Sequence, residues 1–349
     1  MSTTLRGDPL CFVDRGAGDA TASLLFPPAP RLALRSASGD VEYEEGRDFL
    51  LDADAGRVIR TSDSRIPLTT RDELYPSTDP DGSAFMFKRD APDTYLMFSE
   101  GDLFHRRQVC ATYTHRRGLW SGLVPRFRGA DMPRTMGRLL ARDPLAIAVT
   151  GDSISEGYNA SGFMRVPPHQ PPYADLVTAG LRDAYGSPIV LHNFAVAGWT
   201  ADHGLADASR VGAANPDMVI VAFGMNDAGY AEPEEFSANV AGIMDEVRRC
   251  APHAEFVLVS PMLPNPDWHY PVMERFAAYR DALAELCADG VVLADMTTLW
   301  KDLLVRKSVH DLTGNGINHP NDFGHRVYAQ AVLALLIEHV TRDEMKRRP

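Results

Sequence analysis

Apolar and polar positions fall into two textures along this chain. From about residue 143 onward, short apolar runs alternate with longer mixed stretches. Runs at 145–150, 189–194, 218–223, 256–260 and 291–295 have the length of strands buried on both faces. Between and after them, 173–184, 201–211, 233–250, 271–288 and 322–340 have the length and periodicity of helices. Such alternation predicts βαβ units, hence a parallel sheet with helices on both faces. Before residue 130 the apolar runs are short and broken by Gly, Pro, Asp and Ser, at 31–36, 48–52, 57–61, 84–88, 95–98 and 109–114. Strong amphipathic helix signals are missing there, so an all-β, sandwich-like domain is expected. The chain thus divides into an N-terminal β domain, 1–130, and an α/β domain, 143–349, with 127–142 as the junction.

Candidate chemistry gathers where the predicted parallel strands end. Gly151-Asp152-Ser153-Ile154-Ser155 directly follows the first run. Ligands collect at the carboxyl ends of strands in open α/β sheets, so Ser153 on a glycine turn is placed to be a nucleophile. Ala195-Val196-Ala197-Gly198-Trp199 follows the second run and Gly224-Met225-Asn226-Asp227 the third, while His319-Pro320-Asn321-Asp322 precedes the last helix. Acyl transfer needs a nucleophile, a base and donors aimed at a developing oxyanion. Ser153 can attack and His319 can take its proton. The backbone N–H groups of Ser153 and Gly198 and the side-chain amide of Asn226 can hold the oxyanion. Asp152 and Asp227 read as turn and cap residues, and His325 as a packed or surface histidine. The Pro-rich stretch Val166-Pro167-Pro168-His169-Gln170-Pro171-Pro172 predicts a stiff loop overhanging the serine.

These four blocks, in this order, resemble the SGNH (GDSL) hydrolase superfamily, whose Ser, Gly, Asn and His match Ser153, Gly198, Asn226 and His319. The resemblance covers roughly residues 143–341. It implies a flavodoxin-like sheet and ester hydrolysis through an acyl-serine, with neither metal nor organic cofactor. Members of that superfamily usually carry an Asp three residues before the histidine, and here that position is Gly316. Asp311 is the first candidate for the missing acid, reaching back across the Gly-containing loop 313–316. A backbone carbonyl in a Ser-His dyad is the alternative, and Asn315 and Asn318 are weaker candidates.

Bulk composition narrows the partners. The 349 residues carry a formal net charge of −12, which argues against a nucleic-acid backbone or an anionic membrane as the partner. Histidine spacing shows no HExxH-type pattern, so no metal site is expected. No window approaches the ~20 apolar residues of a membrane span, and no signal peptide is visible, so a cytoplasmic protein is expected. Cys11, Cys110, Cys250 and Cys287 lack metal-ligand spacing and read as thiols in a reducing compartment. Trp199 and Trp268 lie near strand-following loops and are candidate platforms for a sugar ring. Together with a β domain ahead of the catalytic one, which resembles carbohydrate esterases of the superfamily, this favours short acyl esters of a sugar or polysaccharide. A lipolytic or general short-chain carboxylesterase, and a non-catalytic carbohydrate-binding relative, are the other readings. Oligomeric state has no signal in the sequence.

Overall fold

The apolar runs after residue 143 form a five-stranded, all-parallel sheet in the structure, a computed structural model. It describes residues 2–338 apart from 15, 17–19, 30, 80–81 and 83–85. Across the sheet the strands run Ile189–Asn193, Leu145–Gly151, Met218–Ala222, Glu255–Val259 and Val291–Ala294. In chain order that is second, first, third, fourth, fifth, the flavodoxin-like doubly wound arrangement. Met218–Ala222 and Glu255–Val259 are buried at every position, which is why they read as unbroken apolar runs. The crossover helices form two groups. Tyr173–Tyr185 packs on Asp322–Leu336, and Ala201–Ala213 packs on Pro233–Cys250, which in turn meets Met273–Glu285. The order of strands across the sheet reverses beside Leu145–Gly151, the kind of point at which open α/β sheets bind ligands.

The N-terminal part is built of antiparallel sheets. One has four strands, Ser2–Cys11, Gln108–Arg116, Leu32–Ser36 and Glu42–Tyr43. Another has three, Thr21–Ser23, Arg57–Arg60 and Phe49–Asp52. Ser2–Cys11 is the longest strand described, yet no apolar run announces it. It contains Gly7, Asp8 and Pro9, carries a register irregularity between Leu5 and Asp8, and is buried only toward its end. The run expected at 95–98 lies just beyond the observed strand Ala91–Tyr95. Residues 84–85 of one expected run and 339–340 of the last expected helix lie outside the described residues, as do 341–349.

Among the described residues, no N-terminal strand pairs with the parallel sheet. The two parts nevertheless share one apolar cluster, reaching from Leu10 and Val109 to Ile317 and Leu336. Polar groups also cross between them. Asp8 and Lys307 form an ion pair at 2.9 Å with both side chains fully buried. Asp8 further accepts from Leu25 N and the Tyr113 hydroxyl, and Lys307 Nζ donates to the Ser23 carbonyl. In the expected junction, helix Pro133–Ala141 is fastened to the parallel layer, since the Glu255 carboxylate accepts from Arg134 N and Thr135 N at its first turn. All four cysteines are free thiols, and burial pushes the Cys11 thiol up to about 12.

Candidate active site

Ser153 begins the short helix Ser153–Glu156, set one residue past the strand Leu145–Gly151. Asp152 starts that helix by accepting from Ile154 N at 2.9 Å, and its burial raises the carboxyl pKa to about 7. Ser153 Oγ lies 2.8 Å from His319 Nε2, and both residues are buried. His319 arrives from the other end of the chain on a tightly bonded loop. Asn315 Oδ1 accepts from the backbone N–H of Ile317, Asn318 and His319, while Gly314 N bonds the His319 carbonyl. Asn315 thereby shapes the turn. Its amide nitrogen donates to Asn318 Oδ1, so the two Asn side chains are occupied with each other.

The second and third blocks meet beside the serine. Val196 N donates to the Gly151 carbonyl and Ala197 N to the Glu156 carboxylate, which brings the loop after Ile189–Asn193 against the start of the serine helix. Gly198 follows at φ +79, exposed, with nothing within 4 Å of the place where a Cβ would sit. Only glycine adopts that conformation freely, and the open side leaves room for an acyl group. Among the described residues no acceptor takes the Gly198 N–H. Asn226 Nδ2 donates to the Trp199 carbonyl at 2.9 Å, and the Tyr270 hydroxyl donates to the Asn226 carbonyl at 2.8 Å. Asp227 joins these loops from beneath, accepting from Ala201 N at 2.8 Å and Gly224 N at 2.9 Å. Its burial lifts the carboxyl pKa to about 6.

Asp311 does not meet His319. One of its oxygens accepts from Cys11 N at 2.7 Å and the other from Ser308 N at 2.7 Å, the latter as half of a capping box that opens the short helix Val309–Leu312. The carboxylate is committed to fastening this loop to strand Ser2–Cys11. Gln108 does the same from the neighbouring strand, donating to the carbonyls of His310 and Thr313. Ser308-Val309-His310-Asp311 is an S-x-x-D pattern, and that signal could have placed Asp311 as a capping residue. Among the described residues no backbone carbonyl takes its place either. His319 Nδ1 bonds Asn159 Oδ1 at 2.9 Å, and Glu100 Oε2 stands 2.9 Å from the same nitrogen. Neither residue carried a signal in the sequence: Asn159 follows the serine helix at φ +62, and Glu100 lies in the N-terminal part.

The aromatic residues are redistributed. Trp268 is only 1% exposed, so it offers no face to a sugar. A backbone bridge to Lys88, and Arg89 donating to its carbonyl, hold it beneath the N-terminal part. Trp199 is half-buried on the rim and stacks on His203 at 6.1 Å. A second aromatic pair, which the sequence did not single out, stands beside the histidine. Tyr158 meets the His319 ring edge-on at 5.3 Å and packs on Phe163 at 4.8 Å, and Phe163 is 40% exposed. His325 lies behind this pair, donating from Nε2 to the Tyr158 carbonyl, with burial pushing its pKa down to about 4. The Pro-rich loop is anchored at both sides. His105 Nε2 donates to Pro167 O at 2.8 Å, and Gln170 Nε2 donates to the Asp322 carbonyl.

Among the described residues, no group of three His, Cys, Asp or Glu side chains could hold a metal ion. No helix among them is long and apolar enough to cross a membrane.

Crystal structures of a two-domain esterase (CEX) active on acetylated mannans are similar at 22% identity. One has a TM-score of 0.49 over 64% of this chain and 58% of that one. Another, co-crystallised with mannopentaose, has a TM-score of 0.48 over 61% and 54%. The chain thus spans little more than half the length of that esterase. The acetylxylan esterase Axe2 from Geobacillus stearothermophilus is similar at 19% identity and TM-score 0.45, over 57% of this chain and 97% of Axe2. No curated protein sequence matches. The model of the GDSL-like lipase/acylhydrolase family matches residues 149–327, more than half of the chain and a span that contains Ser153, Gly198, Asn226 and His319. On that match the chain belongs to the GDSL-like lipase/acylhydrolase family.

Proposed function

We propose that this protein is a serine esterase that removes short acyl groups, acetyl foremost, from a sugar or polysaccharide. In this reading an antiparallel N-terminal domain, 1–130, is joined to a catalytic domain, 143–349. The observation that carries the reading is the 2.8 Å contact between Ser153 Oγ and His319 Nε2 at the carboxyl rim of the parallel sheet. Ser153 Oγ attacks the ester carbonyl carbon while its proton passes to His319 Nε2. The carbonyl electron pair moves onto oxygen, where the N–H groups of Ser153 and Gly198 and the Asn226 amide stabilise it. Collapse expels the sugar oxygen, which takes the proton from Nε2 and leaves an acyl-serine. Water then attacks with its proton passing to Nε2, and the second collapse releases the carboxylic acid while Ser153 Oγ takes that proton back from Nε2.

A sugar as the alcohol side is supported by the rim. Trp199, next to Gly198, and the Tyr158–Phe163 pair, beside His319, offer apolar ring faces suited to the C–H face of a pyranose. A long acyl chain would need an apolar groove beside the serine. One apolar cavity, of about 780 Å³, lies away from Ser153, between strand Ser2–Cys11 and helix Asp322–Leu336, and is lined by Leu5, Phe26, Leu303 and Val327 among others. The test is a series of p-nitrophenyl esters of increasing chain length, run beside acetylated sugars. Turnover falling steeply beyond butyryl supports the reading. A maximum at octanoyl or longer moves it to a lipolytic enzyme, and a folded protein that turns over none of them is a non-catalytic relative.

A further inference from the structure

We propose that the N-terminal segment 97–104 takes the place of the absent triad acid, with Glu100 supplying the charge behind His319 and Asn159 its orientation. The proposal rests on the reading of Ser153 and His319 as nucleophile and base.

Three observations converge on this segment. First, the position three residues before the histidine is closed. Gly316 has φ +84, and a Cβ there would meet the Phe104 ring and, at 2.8 Å, the Met97 carbonyl oxygen. The N-terminal part therefore occupies the space through which a side chain at 316 would leave. Second, the same segment delivers a carboxylate of its own, with Glu100 Oε2 2.9 Å from His319 Nδ1. Third, its backbone sets Asn159. The Asn159 amide nitrogen faces the carbonyls of Glu100 at 3.4 Å, Gly101 at 3.3 Å and Gly314 at 3.1 Å. Three acceptors around one NH₂ decide which way the amide points, so Oδ1 is the atom turned to Nδ1.

These contacts divide between two side chains what one Asp does in a triad. Asn159 is buried, and its oxygen accepts the Nδ1–H, which holds the tautomer that leaves Nε2 free for the serine proton. A neutral amide stabilises imidazolium less than a carboxylate does, and Glu100 adds the missing negative charge at the moment the proton arrives. The Glu100 side chain is 41% exposed, so solvent screens part of that charge. Its removal should therefore cost less than the ~10⁴-fold seen when a buried triad acid is neutralised. Glu100 is a positioning residue, acting on the substrate only through His319.

The experiment uses the full chain and p-nitrophenyl acetate. Glu100→Gln is expected to lower kcat by ~10–10²-fold with KM unchanged, Glu100→Asp to recover part of the loss, and added formate to restore Glu100→Ala by occupying the vacated, solvent-reachable site. Melting curves of the variants should match the wild type. A kcat within twofold of wild type in Glu100→Gln overturns the proposal. So does a loss confined to KM, or a loss that neither formate nor Glu100→Asp repairs. Ser153→Ala measured alongside separates the two claims. If Ser153→Ala stays active, the esterase reading fails; if it is inactive while Glu100→Gln is unimpaired, only the role of segment 97–104 fails.

Discussion

In the parallel layer every residue assigned to chemistry sits within a few positions of a strand end or a helix start. Ser153 follows Leu145–Gly151, Gly198 lies five residues past Asn193, Asn226 four past Ala222, and His319 three before helix Asp322–Leu336. In the antiparallel part the residue that reaches the site, Glu100, comes from a loop between strand Ala91–Tyr95 and helix Leu103–Arg107. The first set is positioned by the sheet itself, because a doubly wound sheet delivers its loops to one crevice. The second is positioned by packing between regions: Asp8 on Lys307, Cys11 N on Asp311, Gln108 on the loop before His319. Sheet topology thus brings the loops of Ser153, Gly198, Asn226 and His319 to one rim, while the surroundings of His319 depend on how the N-terminal part is seated.

The largest effect should come from breaking that seating. Asp8 and Lys307 are fully buried as a pair, so Asp8→Ala leaves an ammonium without its partner and should cost about 3–5 kcal/mol of stability in urea unfolding. Replacing both, Asp8→Leu with Lys307→Met, should return only part of that loss, because Leu25 N and the Tyr113 hydroxyl still lose their acceptor. If Asp8→Ala unfolds at the wild-type urea concentration, the pair is not what joins the regions.

A change within the parallel rim should leave stability alone and strike the rate. Asn226→Ala removes one side-chain donor from the proposed oxyanion site and should lower kcat by ~10²–10³ with little change in KM. A rise in KM alone would make Asn226 a ground-state binding residue.

The difference between the regions also decided what the sequence could disclose. Strands buried on both faces are continuous apolar runs, and their observed bounds fall within two residues of the predicted ones. Ser2–Cys11 is half-exposed and holds Gly7, Asp8 and Pro9, so neither a run nor an alternation marked it. The same holds at the site. Ser153, Gly198, Asn226 and His319 have local signals in glycine turns and strand ends. The carboxylate beside His319 has none, because its place is set by contact between distant segments. Asp311 looked eligible by nearness in the chain, yet its oxygens are spent on Cys11 N and Ser308 N. Trp268 looked eligible as a loop aromatic, but the N-terminal part covers it.

A pH dependence of stability should be carried by the buried carboxyl of Asp152, next to Ser153. Burial raises Asp152 to about 7 in the folded protein, whereas an unfolded Asp ionises near about 3.9. Between those values the folded state binds more protons, so this contribution to stability is full at low pH and is lost as pH rises toward about 7. Asp152→Asn keeps an acceptor for Ile154 N without the titration. Its melting temperature relative to wild type should rise from about pH 4 to about pH 7 and then level off. A difference that does not vary with pH would show that Asp152 is ionised throughout.

The most direct test of the central claim is covalent labelling of the serine. The full chain is treated with a sulfonyl fluoride or an aryl phosphonate, and the peptides are read by mass spectrometry as esterase activity falls. One adduct is expected, on the peptide carrying Ser153, formed in step with the loss of activity, much slower in His319→Ala and absent in Ser153→Ala. Loss of activity with the label on another serine, or hydrolysis that persists in Ser153→Ala, would contradict it.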